Sequence, residues 1–500
     1  MTQPLNNVKR PENWRSFMSE RSWWKTACAL SLLCAATTIA SPAQTFTTLY
    51  KFAGSGNPDA GLLQGTDGGL YGTTRGFEGS SGTVFKITPS GTLTEVGGFD
   101  GGDGKYPEAA VVEGTDGNFY GTTFEGGNPG NGTVFKITPS GTLTLLYSFG
   151  FAPSGSFPIA ALIQAKDGNF YGTTLYGGAN SCVFGGTDYG CGTIFKITPS
   201  GTLTTLYNFC SQSGCTDGEL PEAALVQASN GNLYGTTDAG GASTACTDGC
   251  GTVFEITTTG TRTTLHSFDN TDGANPTAGL IQATDGNFYG TTYSGGASSN
   301  SCSPSTGTCG TVFKITSAGT LTTLHRFDAT DGANPIAGLI QASDGSLYGT
   351  TRGGPGTIFK ITLSGTLTTL FNFDGTDGDQ PNALVQDTNG TFYGTTESGG
   401  NDNYHFCGGG CGTVFSLSVG LGPFVEVRSA SGKEGTTVKI LGTRFAGATS
   451  VSFNGTAASF NVISSSEITT TVPAGATTGE IKVVTPSGTL SSNVPFHVLP

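Results

Sequence analysis

The strongest constraint on the fold is a tetrapeptide, YGTT, that the chain repeats seven times. The copies begin at Tyr71, Tyr120, Tyr171, Tyr234, Tyr289, Tyr348 and Tyr393. A second motif, GT(V/I)F, follows each of them, beginning at Gly82, Gly132, Gly192, Gly251, Gly310, Gly356 and Gly412. Successive YGTT copies are 45–63 residues apart, which is the size of a β-propeller blade and too long for most solenoid repeats.

Each repeat contains four strand-like segments. The third copy reads AALIQA, NFYGTT, GTIFKIT and GTLTTLYNF, all rich in the β-branched and aromatic residues that favour strands. Asp-Gly or Asn-Gly separates the first two segments in all seven repeats, and this dipeptide favours a tight hairpin turn. A turn of the TPSGT type separates the last two. Each repeat is therefore predicted to form a four-stranded antiparallel sheet.

The two ends of the repeat region complement each other. The seventh repeat lacks a fourth strand, whereas Thr45–Phe52, TFTTLYKF, matches the fourth-strand pattern. If the first strand pairs beside Thr413–Leu417, it completes the last sheet and leaves no sheet edge exposed. We therefore predict an all-β fold in which residues 44–418 form a seven-bladed β-propeller closed by the N-terminal strand. A β-solenoid is the alternative, but it would require caps rather than complementary ends.

The repeat pattern ends at a short linker, residues 419–423. Residues 424–500 contain about seven short strands separated by turns, a pattern typical of an antiparallel sandwich. This segment is predicted to be a C-terminal immunoglobulin-like β-sandwich.

Both regions resemble known families. The phrase DGNFYGTT and runs such as GTVFKITPSGTLTLLYSF resemble the GloVer-type tandem repeat of secreted bacterial proteins over residues 45–418. The runs GKEGTTVKILGTRFAGATSVSFNGTAASF and EITTTVPAGATTGEIKVVTPSGT resemble the IPT/TIG domain over residues 424–500. The first resemblance implies a propeller-like fold, with no agreed activity and no catalytic residues to carry over. The second implies a spacer or adhesive module outside cells.

Residues 1–43 have the pattern of a secretory signal. Arg21 and Lys25 precede an apolar run from Ala27 to Ile39, and small residues stand at Ser41 and Ala43. The apolar run is too short to span a bilayer. We predict cleavage near residues 43–44 and a secreted or cell-surface protein with no membrane span after signal removal. A retained membrane anchor is the alternative, and translation could start at Met1 or at Met18.

The cysteines indicate disulfide bonds. Two of the twelve lie in the predicted signal, and the other ten form five local pairs: Cys182 and Cys191, Cys210 and Cys215, Cys246 and Cys250, Cys302 and Cys309, Cys407 and Cys411. An even number of closely spaced cysteines in an exported chain favours disulfides. Zinc is the alternative for the two pairs spaced by four, but zinc needs about four ligands and only His405 lies near any pair. No metal site is predicted here.

Charge excludes one class of partner and raises the question of another. Residues 44–500 carry 17 basic and 34 acidic side chains, and a surface of that sign repels phosphate backbones, so no nucleic-acid partner is expected. Calcium could bind acidic turns of the FDGTDG type, which contain Asp100 and Asp103, Asp269 and Asp272, Asp328 and Asp331, Asp374 and Asp377. Ordinary turn chemistry is favoured, because the alternating D-x-D-x-D-G spacing of a calcium loop is missing.

The sequence contains no recognisable catalytic motif. There is no GxSxG or HExxH, and His266 and His325 stand where other fourth strands have Tyr or Phe, which favours a packing role. Acidic residues do follow several YGTT motifs closely, namely Glu78, Glu125, Asp238 and Glu397. Paired carboxylates of this kind can hydrolyse glycosidic bonds, but no catalytic residue is assigned. The Lys of FKIT is interpreted as a solubility device on a strand edge.

Function is expected on the face that carries the variable loops. The loops between second and third strands range from four residues to seventeen, and all five cysteine pairs lie on this side. Long, stapled loops on a rigid scaffold are where binding residues concentrate, although they could also be tolerated insertions. We predict a monomeric, non-catalytic binding or adhesion protein for an extracellular glycan or protein ligand. The alternatives are a carbohydrate-active hydrolase or lyase using acidic residues on this face, and a purely structural surface protein.

Overall fold

The computed structural model of the protein describes residues 44–54, 56–76, 79–296, 309–400, 410–428 and 431–499. Within these residues the regular structure is β-strand, apart from one 3-10 turn at Ser213–Cys215. The protein is therefore all-β, as predicted. The predicted signal, residues 1–43, lies outside the described residues. In the described part of the chain, no helix is long and apolar enough to cross a membrane.

Seven antiparallel sheets, here sheets 1 to 7 in repeat order, are described between residues 45 and 418. Their first strands are Leu63–Gln64, Val112–Glu113, Ile163–Gln164, Val226–Gln227, Ile281–Gln282, Ile340–Gln341 and Val385–Gln386. Their second strands are Leu70–Thr74, Phe119–Thr123, Phe170–Thr174, Leu233–Thr237, Phe288–Thr292, Leu347–Thr351 and Phe392–Ser398. Their third strands are Thr83–Ile87, Thr133–Ile137, Thr193–Ile197, Thr252–Ile256, Thr311–Ile315, Thr357–Ile361 and Thr413–Ser418. Their fourth strands are Leu93–Gly98, Leu143–Ser148, Leu203–Asn208, Arg262–Ser267, Leu321–Arg326, Leu367–Asn372 and, for sheet 7, Thr45–Lys51.

Two further strand pairings lie outside this four-stranded pattern. Asp379–Pro381 pairs with the second strand of sheet 7, and the long loop of repeat 3 contains a small hairpin of Val183–Phe184 and Thr187–Asp188.

The N-terminal strand completes the last sheet, and this part of the prediction is confirmed. Thr45–Lys51 runs antiparallel to Thr413–Ser418, with Thr45 opposite Ser418 and Lys51 opposite Thr413. The Phe46 ring stacks on Phe371 of sheet 6, with the ring centroids 3.8 Å apart. The pairing covers an edge that would otherwise be exposed to other chains.

The sheets contact one another in a closed cycle. In four repeats the YGTT tyrosine of one sheet packs on a phenylalanine ring of the next, as Tyr71 does on Phe119, at 4.0 Å between ring centroids. The same apolar packing continues from sheet to sheet. Sheet 7 then packs on sheet 1, where Tyr393 and Val414 meet Leu70.

A ring of hydrogen bonds follows the same cycle. The last residue of each first strand accepts a hydrogen bond from a backbone N–H in the hairpin turn of the preceding sheet, at 2.8–3.1 Å. The accepting residues are Gln64, Glu113, Gln164, Gln227, Gln282, Gln341 and Gln386. The bond from Thr388 N–H to Gln64 links sheet 7 to sheet 1.

The polar residues of YGTT have structural partners. The second Thr pairs with the Thr of GT(V/I)F in the same sheet, as Thr123 does with Thr133, 2.7 Å between hydroxyl oxygens. In most repeats the first Thr donates to a carbonyl of the next repeat, as Thr122 does to Ala160 at 3.0 Å. These buried hydrogen bonds explain why the motif recurs without invoking a ligand.

The sequence interpretation of the FKIT lysine is wrong. This lysine is not a solubility device in four of its five repeats, because there it forms an ion pair with the Asp of the hairpin turn. The same Asp also accepts a hydrogen bond from the YGTT tyrosine. In repeat 2, Lys136 Nζ lies 3.0 Å and the Tyr120 hydroxyl 2.8 Å from the same Asp116 oxygen. The YGTT glycine has a steric cause. A Cβ on Gly121 would lie 2.6 Å from Cζ of Phe135, so this glycine leaves room for an aromatic ring.

Residues 425–499 form two four-stranded sheets and a parallel strand pair. One sheet contains Glu426–Val427, Thr437–Leu441, Glu467–Thr471 and Phe460–Val462, and the other contains Thr456–Ala458, Ser450–Phe453, Ile481–Thr485 and Gly488–Ser491. Ser431–Lys433 pairs in parallel with His497–Leu499. The two sheets share one apolar core. Phe424 N–H donates to Thr388 O at 3.0 Å and Ser466 Oγ donates to Thr66 O at 3.0 Å, so the domain rests on hairpin turns of sheets 7 and 1.

Candidate functional site

A pocket of about 730 Å³ opens on the face that carries the variable loops. It receives one residue from each of the seven repeats at the same place, the middle position of a Pro-x-Ala tripeptide that precedes the first strand. These residues are Asp59, Glu108, Ile159, Glu222, Thr277, Ile336 and Asn382. Since seven equivalent positions line one cavity, the pocket lies where the seven repeats converge.

A second set of equivalent positions contributes most of the remaining lining. The residue directly after YGTT reaches the pocket in five repeats, as Arg75, Asp238, Tyr293, Arg352 and Glu397. Of the four acidic residues singled out in the sequence, Asp238 and Glu397 therefore reach the pocket. Glu125 instead pairs with Lys105, at 3.5 Å, and Glu78 lies outside the described residues.

The sequence interpretation missed the Pro-x-Ala positions, although the chain carries a signal for them. Proline and alanine are constant in all seven copies, whereas the residue between them is Asp, Glu, Ile, Glu, Thr, Ile or Asn. Because the middle residue differs from repeat to repeat while its neighbours do not, it does not serve the same packing role in every repeat. Comparing the repeats position by position would have marked it.

Two arginines neutralise part of the pocket. Arg75 Nε lies 2.9 Å from Glu108 Oε1, and Arg75 also lies 3.7 Å from Asp59. Burial nevertheless raises the pKa of Glu108 to about 7 and also raises the pKa of Asp59. Arg352 forms an ion pair with Glu397 and donates from Nε to Gln380 at 2.8 Å. Both arginines are thus already engaged with carboxylates or amides.

Repeat 4 supplies two carboxyls that have no basic partner among the described residues, Glu222 and Asp238. Burial raises the pKa of Glu222 to about 8, and the nearby Asp238 adds to the shift. Burial likewise raises the pKa of Asp238 to about 6, although a hydrogen bond from Asn275 partly lowers it. The pair therefore retains a proton at higher pH than two exposed carboxyls would. The pair can donate one hydrogen bond and accept several.

The backbone beside the pocket is held in an uncommon conformation. In six repeats the residue before the Pro of Pro-x-Ala has a positive φ, with Tyr106 at 60°, Phe157 at 57° and Leu220 at 55°. Asn275, Asn334 and Gln380 are the other three. Side chains other than Gly, Asn and Asp rarely adopt this region, and such residues concentrate at functional sites.

Disulfides staple the loops on the same face. Cys182 is bonded to Cys191, Cys210 to Cys215 and Cys246 to Cys250. Cys309 and Cys411 are also disulfide-bonded, while Cys302 and Cys407 lie outside the described residues. These bonds limit the motion of loops that are otherwise long and rich in glycine.

One cysteine cluster has the composition of a metal site. The ligand atoms of Cys182, Cys191, Cys210 and Glu219 lie within 4.8 Å of one another. All three cysteines are oxidised in disulfides, and a metal binds the thiolate form. Burial raises the pKa of Glu219 to about 7, so this carboxyl can hold a proton against the neighbouring sulfur.

The acidic turns and two histidines lie together on this face. Asp269 Oδ1 accepts from the backbone N–H of Thr271 at 2.9 Å and from its hydroxyl at 2.7 Å, which is ordinary turn chemistry. His266 Nε2 lies 2.7 Å from Asp272 Oδ2, and His325 has the same relation to Asp331. The histidines therefore anchor these turns as well as packing. Calcium binding stays the alternative to ordinary turn chemistry for these residues.

A second cavity of about 600 Å³ lies between the loops of repeats 2 and 3. Its lining includes Asn128, Tyr147 and Ser154 and no charged side chain. It receives residues from two adjacent repeats only, so it lacks the sevenfold convergence of the first pocket.

Comparison with known proteins identifies both parts of the chain. A family model described as the Gloeobacter/Verrucomicrobia repeat matches residues 36–184, 182–303 and 301–448. A model of the IPT/TIG domain matches residues 425–498. No curated protein matches the chain.

Several solved structures match the chain at low sequence identity. A fungal alcohol oxidase of the AA5 family, in complex with copper, has a TM-score of 0.51 at 12% identity, covering 91% of this chain and 99% of that one. The extracellular domain of a protein described as a hybrid two-component system from B. thetaiotaomicron has a TM-score of 0.48 at 11% identity, covering 91% and 58%. A gluconolactonase from Xanthomonas campestris has a TM-score of 0.39 at 12% identity, covering 76% and 90%. The oxidase shares the fold alone, and its copper chemistry stays with that protein.

Proposed function

This chain belongs to the Gloeobacter/Verrucomicrobia repeat family, and from that premise we propose that it is an exported binding protein. Residues 44–418 form a seven-bladed β-propeller, and its central pocket on the variable-loop face binds an extracellular glycan without catalysis. The C-terminal IPT/TIG domain serves as a spacer or adhesive module.

The propeller is supported by the closed cycle of contacts. Seven sheets follow one another in chain order, and the last packs on the first. The pairing of Thr45–Lys51 with Thr413–Ser418 completes the cycle. A propeller is the architecture in which such sheets surround a common axis.

The variable residue of Pro-x-Ala is the observation that carries the binding function. Residues that are constant in the repeats are accounted for by packing and hydrogen bonds between sheets. The seven variable residues converge on one pocket with carboxyl, guanidinium, amide and hydroxyl groups. A concave site with a few convergent polar groups is the usual form of a small-ligand site, and a hydroxyl-rich glycan suits this donor and acceptor set.

Export is supported by the signal pattern in residues 1–43 and by the disulfides. Three disulfides are formed on the variable-loop face, and disulfides persist in oxidising compartments outside the cytosol. Release into the medium and retention at the cell surface both fit these features.

A glycan array followed by calorimetric titration tests the binding function. The variants Glu222→Gln and Asp238→Asn should weaken binding of the best glycan at least about tenfold, since each removes a charge or proton that the pocket uses. Glu95→Gln is the matched control, because Glu95 is an exposed carboxylate on the outer strand of sheet 1. Equal binding by the pocket variants, or no bound glycan at all, would overturn the proposal.

The same pair of carboxyls favours a second candidate, a glycan hydrolase or lyase. Two buried carboxyls with raised pKa values in one pocket could supply a general acid and a base or nucleophile. Release of reducing sugar ends by the wild type, lost in both Glu222→Gln and Asp238→Asn, would establish this candidate and exclude the binding-only function. Binding without release supports the first proposal.

A further inference from the structure

The loops of repeats 2 and 3 place a row of aromatic rings beside the pocket. Phe124 and Phe157 have ring centroids 5.1 Å apart, Phe157 and Tyr176 are 6.1 Å apart, and Tyr176 and Tyr189 are 5.2 Å apart. We call these four residues the aromatic shelf. Tyr189 is 37% exposed, and the other three are half-buried, so the row presents ring surface to solvent.

The shelf is held in place by covalent and backbone constraints. The Cys182–Cys191 disulfide closes the loop that carries Tyr189, and Tyr189 N–H donates to Cys182 O at 3.0 Å. Tyr176 exchanges backbone hydrogen bonds with Ser156, at 2.9 and 3.1 Å. A surface fixed in this way loses little conformational entropy when it binds.

Two residues of the shelf stand next to, or at positions equivalent to, residues that line the pocket. Phe157 precedes the pocket residue Ile159 by two positions, and Phe124 stands directly after YGTT, the place that Arg75 and Asp238 occupy in their repeats. Burial raises the pKa of Tyr176, and the charge of Glu222 adds to that shift. The Glu222 carboxyl of the pocket thus lies near Tyr176.

We propose that the aromatic shelf is a second subsite, which stacks on the C–H face of a sugar ring while the neighbouring sugar enters the pocket and presents a free amino group to Glu222 and Asp238. The ligand is then an oligosaccharide that contains amino sugars. This inference rests on the proposed function, because it names the ligand class and a second subsite for the same pocket.

The aromatic shelf and the acidic residues of the pocket both favour an oligosaccharide that contains amino sugars. The face of an aromatic ring is electron-rich and attracts the polarised C–H groups of a pyranose. In the pocket, Arg75 and Arg352 already pair with carboxyls, so the two acids of repeat 4 are the groups left to pair with an incoming cation. A uronic-acid polymer would instead bring like charges together, which disfavours binding.

Calorimetric titration with three hexasaccharides tests the proposal: β-1,4-linked glucosamine, its fully N-acetylated form, and cellohexaose. The glucosamine hexamer should bind wild type at least about tenfold more tightly than the other two. Tyr189→Ala should weaken that binding about fivefold, whereas Tyr189→Phe keeps the ring and should stay within about twofold. Ile463→Ala, which removes an exposed apolar side chain of the C-terminal domain, should match wild type. Thermal unfolding of each variant verifies that it is folded.

The possible failures are distinguishable. If the glucosamine hexamer binds but Tyr189→Ala binds it as wild type does, the shelf is not a subsite, and the pocket proposal stands. If N-acetylated or unsubstituted hexamers bind as well as glucosamine, or if only other glycans bind on an array, the amino-sugar assignment is wrong. If no glycan binds, the proposed function fails and this inference fails with it.

Discussion

Glu113 of the second repeat and Arg428 of the C-terminal domain form an ion pair, with Glu113 Oε2 3.2 Å from an Arg428 terminal nitrogen. The Glu113 side chain is 4% exposed and the Arg428 side chain 24%. At the equivalent place the other six repeats have glutamine, which makes the same hydrogen bond between sheets. The one charged member of this ring thus stands where the C-terminal domain supplies a cation, and this pairing fixes the domain to the second repeat.

Substituting Arg428 should lower the free energy of unfolding more than substituting Glu113. Arg428→Ala leaves the buried Glu113 charge uncompensated and should cost about 3 kcal/mol. Glu113→Gln should cost only about 1 kcal/mol, because the amide keeps the bond to Thr66 N–H and Arg428 keeps Glu426 at 3.8 Å. Urea unfolding and proteolysis of the 419–428 segment measure the effect.

The matched control for that pair is Gln164→Glu. It introduces the same acid at the equivalent position of repeat 3, which has no arginine partner among the described residues. It should destabilise the protein rather than leave it unchanged. Equal stability of Arg428→Ala and wild type would show that the ion pair does not hold the domain.

The YGTT glycine should not tolerate a methyl group. Gly121→Ala would place Cβ 2.6 Å from the Phe135 ring, and overpacking of this kind costs about 1–3 kcal/mol. Phe135→Leu should recover part of the loss in the double variant, although it is itself destabilising. Gly422→Ala, at a glycine with open space around it, is the control in urea unfolding. Additive effects of the two substitutions would contradict the steric explanation.

The N-terminal strand should stabilise the protein through the face that carries Phe46, and not through the exposed face that carries Thr47. Phe46→Ala removes the stacking on Phe371 and the contact with Phe415, whose ring centroid lies 5.3 Å away, and should cost about 2–3 kcal/mol. Thr47→Ala changes an exposed neighbour and should cost less than about 0.5 kcal/mol. Similar midpoints for both variants in urea would mean that this strand does not close the last sheet.

The pocket carboxyls should make the protein less stable as pH rises. Glu222 has a folded pKa of about 8 against an ordinary value of 4.5, so the folded state binds more protons than the unfolded state between those values. The free energy of unfolding then falls with rising pH over that window. Glu222→Gln should lose less stability than wild type between pH 5 and pH 8.5. Glu95→Gln should lose as much as wild type, and an unchanged slope in Glu222→Gln would refute the assignment.

The arrangement of strands could be read from one sequence because its causes are local or repeated. The Asp-Gly turns place the hairpins. Counting the strands showed that the seventh repeat lacks a fourth strand and that Thr45–Phe52 has the matching pattern. The reason for Gly121 could not be read in this way, since it depends on where the Phe135 ring lies across the strand pair. The role of Lys136 likewise depends on a hairpin Asp twenty residues earlier in the chain.

The candidate site was predictable only in part. Variable loops marked the face on which the pocket opens, and Asp238 and Glu397 were recognised as acidic residues that follow YGTT. Glu222 was missed because its motif carries no chemistry by itself. Convergence of seven single residues on one pocket is produced by the cyclic arrangement of the sheets, which no local pattern encodes.

Hydrogen exchange with and without the best-bound glycan tests most directly whether the variable positions form the binding site. We expect slower amide exchange in the segments 57–60, 219–223, 238–240 and 275–278, all on the variable-loop face. The Asp-Gly hairpins and residues 431–499 should exchange at unchanged rates. Slowed exchange confined to those hairpins or to the C-terminal domain, with the four pocket segments unchanged, would contradict the account.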